Sequence, residues 1–185
     1  EGPPDGRVEI EILRLIEVDE EGRCVAVLLF DLEDAGEAQR EAWARWVAAE
    51  PAVAPLVTVL SEHVDGWNEK DRDRLLLACA PDIIVEDHRR TGMGRLEGAE
   101  AYVESVAALW ELAPDSIIEA GWFWLAVEPH GAVVAGRRFG RLADGGDFES
   151  DFLALFTVAD GRSTRLELFE IDDVDTALAR FEALR

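Results

Sequence analysis

The sequence predicts an α+β fold, and three observations carry that prediction. Apolar residues recur at helical spacing over about 56–67 and 99–112, and four strand-like runs follow one another near 116–127, 132–142, 148–158 and 163–170. Glycine- and acid-rich turns such as ADGG separate the later runs. Strands that follow one another pair as an antiparallel-rich sheet, with the helices segregated to one side of it.

Taken in order, residues 7–17 (RVEIEILRLIE) alternate in the strand manner, DEEG makes a turn and RCVAVLLFD is a second strand, so the chain opens with a β-hairpin. Residues 34–50 have a helical pattern, which Pro51 and Pro55 interrupt before the helix from Leu56 to Trp67. A short helix over 71–80 leads to the strand that begins at Pro81, PDIIVEDHRR. Arg89, Arg90 and Arg95, with Gly92 and Gly94, read as a basic flexible loop whose arginines pair with Glu86, Glu97 and Glu100. The helix over 99–112, the four strands and a helix from Val174 complete the chain.

Composition narrows the function. A net charge of -22 repels phosphate backbones and anionic membranes, so nucleic acid and membrane are excluded as expected partners. No apolar run reaches the roughly 20 residues of a bilayer span, and a cytoplasmic protein is expected. Lys70 is the single lysine among many arginines, which fits a high-GC bacterial coding bias. Cys24 and Cys79 belong to no CxxC pair and read as buried free thiols. There is no GxSxG and no HExxH, and GMG lacks the strand–GxGxxG–helix setting of a nucleotide site, so neither cofactor nor metal is expected.

The end of the chain repeats its beginning. GRCVAVLLFDLEDAGEAQR (22–40) aligns with GRSTRLELFEIDDVDTALA (161–179), an offset of 139 residues (161 minus 22), matching Leu29 with Leu168, Phe30 with Phe169, Asp34 with Asp173 and Ala38 with Ala177. Residues 1–50 therefore read as the terminal hairpin and helix of a preceding copy, and 51–185 as a complete copy. EGPPDG at the start reads as a linker or trimmed boundary. The hairpin strands, separated from a copy of their own, are expected to join the sheet of the complete domain or of a partner chain.

With EHVDGWNEKDRDRLLLACAPDIIVEDHRR, GRLEGAEAYVESVAALW and the closing ADGRSTRLELFEIDD in view, the chain from about 54 to 184 resembles the SnoaL-like branch of the nuclear-transport-factor-2-like superfamily. That resemblance implies a cone: a curved mixed sheet wrapped around helices, an apolar pocket at the wide end and a homodimer formed through the sheet. It also implies roles. Asp87 falls where ketosteroid isomerases keep their general base, His63 where they keep an oxyanion-hole tyrosine, and Asp151 near their second oxyanion-hole acid. Arg137-Arg138-Phe139 lacks the acid of the Arg-x-Asp that epoxide hydrolases of this fold use.

Periodicity adds its own evidence. Leu56, Leu60, His63 and Trp67 share one helical stripe, which turns His63 inward. Ile83, Val85 and Asp87 share one face of their strand, so Asp87 follows the apolar pair inward, where lost solvation should raise its pKa toward the range useful to a base. An inward histidine is also the ordinary choice for a core position hydrogen-bonded to backbone. Candidate pocket-lining residues are Leu60, Trp67, Val85, Trp122 and Trp124. The later strands are apolar on both faces, so parity leaves the direction of Asp151 open, and the second face calls for a cover, expected to be a partner subunit. The expected function is a module that binds a small apolar or carbonyl ligand, within a larger bacterial protein. The alternatives are a carbonyl isomerase or cyclase with Asp87 as base, and a dimerisation scaffold whose cone is filled by Trp67, Trp110 or Phe152.

Overall fold

In the computed structural model, which describes residues 10–184, the opening strand periodicity becomes a hairpin of β1 (Leu13–Val18) and β2 (Cys24–Phe30), paired antiparallel. Its turn is fixed by the Asp19 carboxylate, which accepts from the backbone of Glu21 and Arg23, and by Gly22 at φ 77°. Helix α1 (Ala35–Ala49) follows and buries Ala38, Gln39 and Trp43. These elements belong to one unit, Glu1–Pro51, and the remaining chain, Ala52–Arg185, to a second. The expected linker EGPPDG and the start of the first predicted strand lie outside the described residues. β1 and β2 pair with each other as a two-stranded sheet and are not strands of the six-stranded sheet, so of the two expectations for the hairpin only pairing with a partner chain is left. Cys24 is exposed, and only Cys79 is the buried thiol that composition suggested. Burial pushes the Cys79 pKa up to about 12.

The second unit contains α2 (Ala54–Asn68), α3 (Arg72–Ala78), β3 (Cys79–Asp87), β4 (Gly94–Glu97), α4 (Ala99–Leu112), β5 (Ile117–Glu128), β6 (Gly131–Arg141), β7 (Asp147–Ala159), β8 (Arg162–Glu170) and α5 (Val174–Glu182). Helix α2 starts two residues before the predicted Leu56, because Pro55 sits in its first turn, where a missing N–H costs nothing. The six-stranded sheet has the order β4-β3-β8-β7-β6-β5, with β3 parallel to β8 and the other neighbours antiparallel. β4 lies where the sequence predicts a loop. Gly94 pairs opposite Asp87, and Arg95 then reaches both Glu86 and Glu97, so these two of the expected ion pairs form from a strand, while Arg89 pairs with Asp87 instead.

Two side chains fix where α2 sits. Asn68, at its end, donates through Nδ2 to the Ile118 carbonyl at 3.0 Å and accepts from the Ile118 N–H at 2.8 Å, which ties the helix to β5. Three residues on, the Asp71 carboxylate caps α3 by accepting from the Arg74 N–H at 3.0 Å. The inner face of the sheet, toward α2 and α4, presents Val85 and Asp87 of β3, Leu166 and Leu168 of β8, and Phe152, Ala154 and Phe156 of β7. The outer face is covered in part by α5, whose Ala177 and Phe181 pack on Val133, Leu153, Leu155 and Phe169. The chain's own last helix therefore takes a place that the sequence assigned to a partner subunit. Beyond that cover the sheet leaves Phe123 and Ile117 exposed, Phe123 at 72%.

Candidate functional site

Between the inner face of the sheet and helices α2 and α4 the unit leaves a cavity. Its volume is about 80 Å³, small beside the roughly 300–1,000 Å³ of drug-sized ligand sites, and it is continuous with open solvent. Its walls are mostly apolar: Leu60, Val64 and Trp67 from α2, Ile118 from β5, Phe152 and Phe156 from β7 and Leu166 from β8. The side chains proposed as fillers leave it open, for Trp67 and Phe152 line the space, and Trp110 stands edge-on to Trp67 with ring centroids 6.2 Å apart. Gly136 sets the depth. A Cβ there would lie 2.6 Å from the Phe152 ring and 3.2 Å from the Glu119 carbonyl oxygen, so only glycine lets that ring lie back against β6.

The polar groups facing the cavity are few. His63 lies on α2 as the stripe predicted, and its Nε2 is 2.5 Å from the hydroxyl of Tyr102 on α4. Burial lowers the His63 pKa to about 4 and raises that of Tyr102 well above 10, so the pair is neutral near pH 7. Arg89 and Arg138 also line the cavity. The Arg89 guanidinium is committed: Nε donates to Asp87 Oδ1 at 2.9 Å and Nη2 to Oδ2 at 2.8 Å. Arg138, among the described residues, has no carboxylate partner of that kind. Among the described residues its buried Nε makes no hydrogen bond, nor does the Trp67 indole N–H.

Asp87 faces inward as its parity predicted, with its side chain fully buried, yet it lies behind Arg89 and does not line the cavity. Burial alone would raise its pKa, as the sequence suggested. The Arg89 guanidinium, helped by the backbone N–H groups of Met93 and Arg89, outweighs burial and holds the carboxyl below its usual value, which corrects that expectation. Such a carboxylate is a weak base, already engaged by four donor contacts. Asp151 points to the exposed outer face opposite Arg137. Val85 is fully buried but not in the cavity wall, and Trp124 turns its indole N–H to the Gly121 carbonyl at 2.8 Å. The side chain of Trp122 lies outside the described residues. The structure thus brings His63, Leu60 and Trp67 together and leaves Asp87, Asp151, Val85 and Trp124 off the cavity surface.

Of the residues lining the cavity, Tyr102 and Arg138 are not among those the sequence singles out for it, whereas Arg89 belongs to the basic loop that it does. Tyr102 had a signal, since it starts an i, i+4, i+8 stripe with Val106 and Trp110. Arg138 was legible only once β6 and β7 were in register, because its neighbours on both sides are also long side chains.

The sequence model of the SnoaL-like domain matches residues 60–166, more than half the chain. Among solved structures, a candidate SnoaL-like polyketide cyclase from Jannaschia sp. CCS1 is similar at 25% identity and TM-score 0.53, over 68% of this chain and 91% of that one. TerC, co-crystallized with polyporic acid, aligns at 19% identity and TM-score 0.55, over 69% and 99%. A protein with a ketosteroid isomerase-like fold from Catenulispora acidiphila DSM 44928, in complex with trimethylamine, aligns at 13% identity and TM-score 0.53, over 63% and 88%. The latter two show likeness of fold alone. No curated protein matches the sequence. Among the described residues no helix is long and apolar enough to cross a membrane. An α+β cone-type sheet over helices, matched by that sequence model over the elements that build the cavity, places this chain in the SnoaL-like domain family.

Proposed function

We propose that the second unit binds a small, largely apolar molecule carrying a carbonyl or similar oxygen acceptor. The supporting observation is the cavity: aromatic and aliphatic walls, with the free N–H of Trp67, the neutral His63–Tyr102 pair and the Arg89 and Arg138 side chains as its sparse polar contacts. A buried donor without a partner costs free energy that an acceptor on the ligand would recover. General-base catalysis by Asp87 is not part of this reading, since the carboxylate is held by Arg89 behind the cavity wall.

A neutral aryl ketone such as 2-acetylnaphthalene is expected to bind, measured by titration calorimetry. Gly136→Val should weaken it at least about tenfold by driving Phe152 toward the cavity, with an overpacking cost of about 1–3 kcal/mol in stability. If neither an aryl ketone nor the aryl carboxylate of the same shape binds at concentrations up to about 1 mM, the ligand-binding reading is wrong.

We further infer that residues 1–50 are the end of a preceding SnoaL-like copy and that the complete copy forms a homodimer through the outer face of its sheet. In support of the first, the hairpin exposes Val27 and Leu29, which align with Leu166 and Leu168 on the inner face of the complete unit, while Ala38 and its counterpart Ala177 are both buried. In support of the second, Phe123 and Ile117 are exposed on the sheet. Residues 52–185 expressed alone should fold cooperatively and sediment as two chains. Failure to fold counts against the domain reading, and a single-chain mass against the dimer.

A further inference from the structure

Arg138 is the side chain that the cavity leaves unexplained. It reaches inward from β6, with its guanidinium 5.8 Å from the Trp67 ring centroid and 5.4 Å from that of Phe148. An arginine keeps its charge in proteins, and a charge withdrawn from water is normally matched by an anion. Among the described residues no carboxylate forms an ion pair with it. Asp87 is the nearby carboxylate, and both its oxygens are taken by Arg89. Asp87, Arg89 and Arg138 together leave one positive charge unbalanced beside an apolar cavity, and the buried His63 is neutral. Burial, then the neighbouring Arg89, destabilise the charged form of Arg138, with Asp87 only partly opposing them.

Other candidates fall short. Glu86, His88 and Glu167 bring potential metal-binding atoms within 4.8 Å, but Arg165 and Arg180 already neutralise those acids. The exposed apolar face of the hairpin has nothing to identify what covers it.

We propose that Arg138 is an anion-recognition residue, and that the molecule held in this cavity is an apolar monocarboxylate whose carboxylate lies against the Arg138 guanidinium while its apolar body lies against Leu60, Trp67 and Phe152. This rests on the reading of the cavity as a ligand site and specifies its ligand class. The guanidinium supplies paired N–H donors that match a carboxylate, and the aromatic rings beside it hold its plane. In a protein of net charge -22 the surface field disfavours anions, so selectivity for one has to arise from a local cation such as this.

The test compares two ligands of nearly equal shape, 2-naphthoate and the neutral 2-acetylnaphthalene, by titration calorimetry at pH 7.5. The unaltered protein is expected to bind the naphthoate at least about tenfold more tightly. Arg138→Gln should remove that preference while leaving ketone affinity within about threefold, and Arg138→Lys should keep part of it. Equal affinities in the unaltered protein, or a preference that survives in Arg138→Gln, overturn the anion assignment alone. If neither ligand binds, the cavity reading falls and this inference falls with it. Should Arg138→Gln fail to fold, Arg138→Met takes its place, since it keeps the length and apolar stem of the side chain without its charge, and a naphthoate preference that survives there overturns the assignment.

Discussion

Replacing Glu167 with alanine should destabilise the second unit by about 3 kcal/mol, the scale of breaking a buried ion pair. Glu167 lies on β8 with its side chain fully buried. Arg180 Nε donates to both of its oxygens at 3.0 Å, Arg165 Nη1 to Oε1 at 2.9 Å, and His88 Nε2 lies 2.9 Å from Oε2. Arg180 belongs to α5, so this carboxylate anchors the helix that covers the outer face through Ala177 and Phe181. The arginines are partly exposed and recover some hydration when the acid is removed, which keeps the effect near the lower end of the usual range. Glu167→Gln retains one acceptor and should lose about half as much. Urea unfolding of both variants checks this. A loss under about 1 kcal/mol for the alanine variant would show that α5 is held by its apolar contacts alone.

Acidification should reveal the buried histidine. His63 has a pKa of about 4 in the folded chain against an ordinary 6.5, because its site excludes the water that would stabilise the imidazolium. Between those values the unfolded chain binds more protons, so stability rises with pH across the window and falls as pH drops from 6.5 toward 4. The full effect is about 3 kcal/mol, of which about 2 kcal/mol should be lost by pH 5. Asp87 and Glu167 act lower in pH. Both have folded pKa values below their ordinary 3.8 and 4.5, so their contribution is present above those values and disappears as pH falls through the depressed ones. The stretch from 6.5 to 5 therefore reports mainly on His63. His63→Gln, which leaves Tyr102 a hydrogen-bonding partner, should flatten it. Urea unfolding at pH 7.5, 6 and 5 checks the slope, and an equal slope in the variant would assign it to other groups.

The sequence alone determined the α+β class, the order of nearly every element and the inward turn of His63, Leu60 and Trp67. Those depend on local periodicity, which one residue after another writes into the chain. The parity of Ile83, Val85 and Asp87 was legible for the same reason, and all three are buried. The chemistry of Asp87 was not. Whether an inward carboxylate becomes a base or half of an ion pair depends on which cation reaches it, and Arg89 folds back onto it only because Asp87 ends β3 where the chain turns toward β4. β4 escaped notice because four residues with two exposed charges carry little alternation, and its partner β3 is what makes it a strand. The direction of Asp151 and the exposure of Arg138 to the cavity required the register of β6 against β7, since both strands are apolar on both faces. The meeting of His63 with Tyr102 spans two helices 39 residues apart, and the cover of the outer face by α5 joins elements from distant parts of the chain. Side-chain direction is set within an element, whereas ionic partners, neutrality and cavity space are set by what another element places opposite.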